Sequence, residues 1–400
     1  MKKSMEVKPK IETFARIKVL GVGGSGTSVV NRMSEMGIRG VEFVSVNTDA
    51  QALHNNQADR KVHIGKSITK GLGSGMNPEL GRQAAEENQE EIEEAIANAD
   101  MIFITGGLGG GTGTGAAPVV AELAKNRDIL TIAVVTKPFT FEGSKRREIA
   151  ETGYENLKDK VDAIISIQND RILQIIDKKT SLMDAFKTVD EVLRQGIAGI
   201  SDLITTHGVV NADFADVRTI MQNAGTAMMG IGTATGENRA EEAARAAINS
   251  PLLDMTIDGA QGVLFNITGN QDLGMFEIDE AARVITKNVD PDATVKFGTV
   301  VDESMGDELR ITVIATGFDE NNRRPAPISF ASPLDEPMVA PRSVKPVPVA
   351  PVEEEVELAE PEIRRPLFKP KPVEPVGTMD DDNASDDELD IPAFIRKKMK

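Results

Sequence analysis

An α/β fold is predicted, with a parallel sheet, a long central helix and a second α/β unit behind it, and three observations in the 400-residue sequence point to it. Apolar strand-like runs alternate with helical patterns up to about residue 180, as in sheets covered by helices on both faces. Two glycine-rich turns each stand between such a strand and the helix that follows it. Further on, Leu182, Phe186, Val189, Leu193, Ile197, Ile200 and Ile204 recur at spacings of three and four, the period of one helix face.

In chain order, residues 1–13 read as an N-terminal extension and 14–180 as the first domain, with strands at 17–20, 42–46, 101–105, 129–136 and 162–167. The first strand, Ile17 to Leu20, runs into Gly21-Val22-Gly23-Gly24-Ser25-Gly26-Thr27 and then a helix from Ser28 to Met36. The strand Met101 to Thr105 runs into a second glycine turn spanning Gly106 to Gly115, followed by an alanine-rich helix. Glycines let successive backbone N–H groups converge on an anion, and the helix behind adds the positive end of its dipole, so both turns are read as phosphate cradles. A helix over 181–207, roughly 40 Å long at about 1.5 Å per residue, leads away from these loops, with Gly208 as its stop. Residues 208–320 form the second α/β unit, with strands at 226–233, 260–268, 295–301 and 309–316 and no phosphate loop. Beyond it, 13 of the 20 prolines fall between Pro325 and Pro375, a composition that cannot build a core, so 321–387 is read as a disordered tether. The last segment, 388–400, places Ile391, Phe394 and Ile395 on one face of a short helix, acids before and bases after, which suits either a docking peptide or a frayed terminus.

Gly21, Gly23 and Gly26 also fit the dinucleotide fingerprint, a weak pattern alone that requires an acid about 20 positions on. Asp49 comes close, in Asn47-Thr48-Asp49, but a dinucleotide leaves the second loop unexplained. A nucleoside triphosphate accounts for both, although no G-x-x-x-x-G-K-[ST] occurs and the cradle does without a lysine. Composition narrows the class further. The net charge of −18 argues against nonspecific binding to nucleic acid or anionic lipid, and the absence of cysteine excludes disulfides, thiol catalysis and thiolate metal sites. No apolar stretch reaches the roughly 18 residues of a membrane span and no signal peptide is recognised, so a cytoplasmic location is expected, with any membrane association through a partner.

Gly109 to Gly115, GGGTGTG, resembles the signature of the tubulin family of GTPases. Further segments resemble its FtsZ family: Val46-Asn47-Thr48-Asp49, Gly71-Leu72-Gly73-Ser74-Gly75, Thr136-Lys137-Pro138-Phe139, Phe141-Glu142-Gly143, Asn211 to Val217, and Asp390-Ile391-Pro392-Ala393-Phe394-Ile395. The likeness runs from about residue 14 to 318 and resumes at the last dozen residues. It implies a tubulin-like fold and a GTP/GDP site in which Gly24, Ser25, Gly26, Thr27, Ser28 and Asn47 face Gly110, Gly111, Thr112 and Gly113. Ser28 stands where the family usually has Asn and leaves a hydroxyl donor there. Glu142 and Arg146 match positions near the ribose, though Lys145-Arg146-Arg147 also reads as a solvated charge run. Asn169 and Asp190 match the guanine-reading positions, because a carboxylate accepts from guanine N1–H and the 2-amino group together, a pair adenine lacks. Phe186, one turn before Asp190, is read either as a base-stacking ring or as core.

The resemblance makes Asn211, Asp213 and Asp216 catalytic in trans: their loop completes the next subunit's site in a head-to-tail filament and orients the attacking water. On sequence alone Asp213 reads first as an N-cap of a helix starting at Phe214, with Asp216 in its first turn. No protein-held metal site is read, so Mg²⁺ is expected to arrive with GTP, held mainly by phosphate oxygens. The family role implied is the scaffold of the bacterial division ring at midcell, a homopolymer whose tail residues Ile391, Pro392, Phe394 and Ile395 bind a membrane-tethering adaptor such as an FtsA-like protein. Two other functions are weighed against it. One is a nicotinamide-dependent oxidoreductase built on Gly21, Gly23 and Gly26; the other is a filament that binds nucleotide without hydrolysing it.

Overall fold

The computed structural model describes residues 15–318 apart from 37, 39, 178, 207–209, 211, 252, 254–255 and 288. The N-terminal extension, the helix stop at Gly208, Asn211 and everything expected of 321–400, including Ile391, Pro392, Phe394 and Ile395, lie outside the described residues. Two compact units divide the chain, Met1–Phe330 and Ala331–Lys400, and the described residues belong to the first.

The elements in chain order are β1 (Ile17–Val22), α1 (Gly23–Met36), β2 (Val41–Asn47), α2 (Ala50–His54), β3 (Arg60–His63), α3 (Lys66–Thr69), α4 (Pro78–Glu87), α5 (Gln89–Ile96), β4 (Met101–Gly107), α6 (Thr112–Lys125), β5 (Leu130–Lys137) and α7 (Ser144–Lys158). There follow β6 (Ala163–Gln168), α8 (Asn169–Ile172), α9 (Leu182–Thr205), α10 (Phe214–Met221), β7 (Gly225–Thr235), α11 (Arg239–Ile248), β8 (Gly262–Gly269), α12 (Met275–Thr286), β9 (Thr294–Val301) and β10 (Glu308–Thr316). The strands join in one sheet in the order β3-β2-β1-β4-β5-β6-β7-β10-β8-β9. Every neighbouring pair from β3 to β7 is parallel, with Ile17 opposite Val41 on one side and Met101 on the other. β10 runs antiparallel to both β7 and β8, and β9 is parallel to β8.

Both faces of the parallel part are covered, and its inner strands are accordingly buried on both sides instead of alternating: all six residues of β1 are buried. One face carries Val29, Val30 and Met33 of α1 with Val189, Leu193, Ile197 and Ile200 of α9. The other carries α4 to α7, through residues such as Ala84, Ile92, Val120 and Leu157. Behind β7, β8 and β10 a third cluster joins Ala243 and Ala247 of α11 to Ile278 and Ile285 of α12. The predicted long helix is α9, capped by Ser181, whose hydroxyl oxygen accepts the Asp184 N–H at 3.2 Å. Its 24 residues span roughly 36 Å and lie across the sheet. Gly196 and Gly199 let it seat closely, since a Cβ there would stand 2.6 Å from Met229 Sδ of β7 and 2.9 Å from Thr312 Cγ2 of β10 respectively.

The strand β3 is an element the sequence reading did not predict, and α1 begins earlier than expected, at Gly23 instead of Ser28. Gly23 adopts φ +75°, open to glycine at little cost, and turns the chain from strand into helix without a loop.

Candidate functional site

In an open parallel sheet, ligands bind at the carboxyl ends of the strands where the order reverses direction. Here that point lies between β1, which continues to β2 and β3, and β4, which continues to β5 and β6. Both glycine turns leave the sheet there, after Val22 and after Gly107. A Cβ on Gly23 would stand 2.7 Å from the Gly113 nitrogen, so the starts of α1 and α6 meet backbone to backbone. On Gly24 and Gly110, by contrast, a Cβ would meet nothing within 4 Å. The crevice is therefore closed at its floor and open where an anion would enter. Two helix N-termini bring their unpaired backbone N–H groups to it.

The hydroxyls mostly hold the cradle together. Thr27 donates to the carbonyls of Gly23 and Gly24, both at 2.9 Å, and Ser28 to Gly24 O at 3.1 Å. In this arrangement the donors left for a ligand are the backbone amides of the first turn of α1, such as those of Gly24 and Ser25, because those of Thr27 and Ser28 lie within the helix's own hydrogen-bond ladder. Ser25 Oγ accepts the Gly107 N–H at 2.6 Å and ties one loop to the other. Thr112, 7% exposed at the head of α6, has its hydroxyl 2.7 Å from Thr48 Oγ1 and 2.9 Å from Ser74 Oγ. Asn47 is buried; its Oδ1 accepts the Thr48 N–H at 2.9 Å, and its amide reaches Thr27 Oγ1 at 3.5 Å. Thr48 and Ser74 are site residues to which the sequence reading gave no role. The signal for Ser74 was the Gly71-Leu72-Gly73-Ser74-Gly75 run, whose three glycines all take positive φ. Asp49, the candidate ribose acid of a dinucleotide site, caps α2 instead, accepting the N–H groups of Gln51 and Ala52 at 2.9 and 3.1 Å.

Beyond β5, Glu142 accepts the Phe139 N–H at 2.9 Å and pairs with Arg146 at 2.7 Å. Arg146 lies against the second glycine loop, since a Cβ on Gly109 would be 2.8 Å from its carbonyl oxygen. Lys145 pairs with Glu148 and Arg147 bonds Thr140, so the three bases have separate partners. Asn169 opens α8 at the end of β6; it is 5% exposed and its Oδ1 has no hydrogen-bond partner. A buried, unsatisfied amide oxygen is costly, and a donor from a ligand would relieve it. Phe186 remains 38% exposed and meets the buried ring of Phe139 edge-on at 5.6 Å, with Phe141 stacked on Phe139 at 4.9 Å. Asp190, one turn on, is nearly buried and pairs with Arg32 of α1 at 3.0 Å. Burial pushes its carboxyl up to about 6, against the pull of Arg32. No local pattern marks Arg32.

Asp213 and Asp216 belong elsewhere. They lie between α9 and β7, and β7 enters the sheet with Gly225 opposite Ala163, the first residue of β6. Arg218 of the same helix pairs with Asp128, just before β5. These carboxylates thus sit at the amino ends of the parallel strands and the glycine loops at the carboxyl ends. Asp213 is the N-cap of α10, accepting the Asp216 N–H at 2.8 Å, and Asp216 pairs with Lys296 of β9 at 2.6 Å.

Two family models match the chain: the Tubulin/FtsZ family GTPase domain over residues 16–177 and the FtsZ family C-terminal domain over 225–319. Among solved structures it is similar to an empty FtsZ dimer of M. jannaschii, with 46% identity over 76% of this chain and 89% of that one and a TM-score of 0.74. Two CetZ proteins of Haloferax volcanii share the fold. A GTPgS-bound CetZ2 protofilament has 24% identity over 77% of this chain and 95% of that one, with a TM-score of 0.65. A GDP-bound CetZ1 monomer has 23% identity over 76% and 95%, with a TM-score of 0.67. The cradle at the switch point, the tubulin-like α/β fold and these matches together make the chain a member of the Tubulin/FtsZ family of GTPases, within its FtsZ family.

Proposed function

We propose that this protein assembles head to tail into GTP-dependent filaments, hydrolysing GTP at sites completed by the next subunit, and serves as the scaffold of the bacterial division ring. The observation that carries this reading is the separation of the phosphate cradle and the Asp213/Asp216 pair to opposite ends of one parallel sheet. Groups so placed cannot meet within a subunit, but a head-to-tail contact brings one subunit's carboxylates to another's nucleotide. Such a heterologous contact does not close on itself and so generates a filament. The similar M. jannaschii FtsZ structure is of a dimer, and the CetZ2 structure that shares the fold is of a protofilament, so self-association of this fold has precedent.

Asn169, Asp190 and Phe186 would hold the guanine, Glu142 and Arg146 the ribose side, and the segment Gly24 to Ser28 with the amides of Gly110 to Gly113 the phosphates, with Asn47 behind them. Asp213, Asp216 and Asn211 would orient the attacking water. Phosphoryl transfer depends chiefly on positioning and charge stabilisation, which such groups supply. Mg²⁺ would be held mainly by phosphate oxygens and water, adding positive charge there; the hydroxyl trio of Thr48, Ser74 and Thr112 is the hard, neutral oxygen set that suits an ion carried in this way. The domain limits 14–180, 181–207 and 208–320, and a tail peptide at 388–400 that grips a membrane-bound adaptor at midcell, complete the proposal. Among the described residues no helix is long and apolar enough to cross a membrane.

A second reading, a filament that binds nucleotide without hydrolysis, draws support from Asp213 and Asp216, which already have structural partners as a cap and an ion pair. Light scattering with GTP, GDP and ATP, recorded beside phosphate release, separates the two. Assembly with GTP alone, and phosphate release that begins with assembly, is expected. Assembly without release would favour the second reading, and release at full rate from dilute, unassembled protein would reject completion in trans.

A further inference from the structure

Lys296 is out of place by local electrostatics. It stands at the N-terminal turn of α10, where the helix dipole is positive and disfavours a cation. It is held there by Asp216, 2.6 Å away, with Asp213 adding to the attraction, so the ammonium's affinity for its proton is raised. As a stabilising device the pair is weak. The Lys296 side chain is 42% exposed and that of Asp216 29%, and ion pairs that open to water contribute little to folding.

The backbone around the pair is nevertheless fixed. Val295 and Phe297 of β9 pack on the third core cluster, so Lys296 and Gly298 face the other way, toward the end of α9. Gly298 permits a close approach there: a Cβ would stand 2.4 Å from Leu203 of α9 and 3.5 Å from Val210 O. Thr299 N–H donates to Val210 O at 2.9 Å and Val210 N–H donates to Thr299 Oγ1 at 3.0 Å, which staples the segment entering α10 to β9. Lys296 therefore reaches Asp216 from a rigid strand.

We propose that Lys296 is a positioning residue for hydrolysis: it fixes the rotamer of Asp216 and lowers the negative charge of the pole that docks on the next subunit's triphosphate. The inference rests on Asp216 acting in trans. Two bare carboxylates brought against a triphosphate would repel it, and one ammonium halves their charge. Covering the pair with a second subunit removes water, which strengthens the pairing at the moment it is needed. With Asp216 Oδ1 engaged by the ammonium, Oδ2 is the oxygen free to accept from a water.

Four full-length variants test this: Lys296→Met, Lys296→Arg, Asp216→Asn, and Arg283→Met as a control that breaks an exposed pair with Asp279 on α12. GTP affinity, melting temperature, critical concentration and phosphate release per assembled subunit are measured for each. Lys296→Met should lower release per assembled subunit by roughly three- to tenfold, about 1 kcal/mol in barrier. It should also raise the critical concentration, with GTP affinity and melting temperature unchanged. Lys296→Arg should recover most of the loss and Arg283→Met should behave as the parent. Unchanged or faster release in Lys296→Met, while Asp216→Asn is inactive, overturns the inference and leaves trans hydrolysis standing. Normal release in assembled Asp216→Asn removes the foundation itself.

Discussion

Asp190 is set between opposed demands. Burial favours its neutral form and lifts it to about 6, while Arg32 at 3.0 Å favours the anion that a guanine would need. The folded carboxyl holds its proton more tightly than the unfolded one, so its contribution to stability is fullest below the ordinary value of 3.8 and is lost as pH rises through about 6. Asp202, half-buried on the same helix and raised to about 6 by desolvation, contributes with the same sign. Guanine recognition runs the other way. Accepting from N1–H and the 2-amino group requires the carboxylate, so GTP affinity should rise as pH passes upward through about 6. Titrations between about pH 5 and about pH 8 should show that inflection in the parent and lose it in Asp190→Asn. At neutral pH the same variant should lose preference for GTP over ATP by on the order of a hundredfold, the cost of leaving paired donors unmatched. A variant that stays folded and keeps both the inflection and the preference would remove Asp190 from the base site.

At the scale of elements, what could be read from sequence was whatever period and punctuation announce together. The stripe from Leu182 to Ile204 marked α9 to within a residue or two, and the apolar runs marked β1, β2, β4, β5 and β6. β3 was missed because Arg60-Lys61-Val62-His63 has one apolar residue and no alternation to see. The start of α1 was misplaced because glycine reads as turn, whereas Gly26 lies inside the helix: a Cβ there would be 2.5 Å from Thr105 O of β4. That is a tertiary constraint, invisible in local sequence. The same holds for Arg32 and Lys296, whose partners lie far along the chain. The short helix α10 permits a test of the two roles weighed for Asp213. Serine also caps, so Asp213→Ser should melt close to the parent, while Asp213→Ala should lose about 1 kcal/mol. If the carboxylate acts on the neighbouring nucleotide, both variants should lose phosphate release per assembled subunit. Release retained in Asp213→Ser would leave Asp213 a cap and nothing more.

For the whole molecule, α9 is the strut between the poles. Phe186 and Asp190 near its start flank the proposed base site, and its far end leads to the segment that β9 staples in front of Asp213. If hydrolysis is shared between subunits, two defects at opposite poles should complement. Asp216→Ala keeps an intact cradle but offers a poor loop. Thr112→Arg, at a buried hydroxyl between Thr48 and Ser74, fills the crevice but offers an intact loop. Each alone should release little phosphate. Mixed in equal amounts they should recover about a quarter of the parent rate per total subunit, because random order puts a good loop on a good cradle at one junction in four, each unaltered group contributing its full transition-state stabilisation. Co-sedimentation of differently labelled variants shows whether they enter the same filaments. Co-assembly without recovered release would mean that Asp216 does not act across the junction, and release by Asp216→Ala filaments alone at the parent rate would mean the same without any mixing.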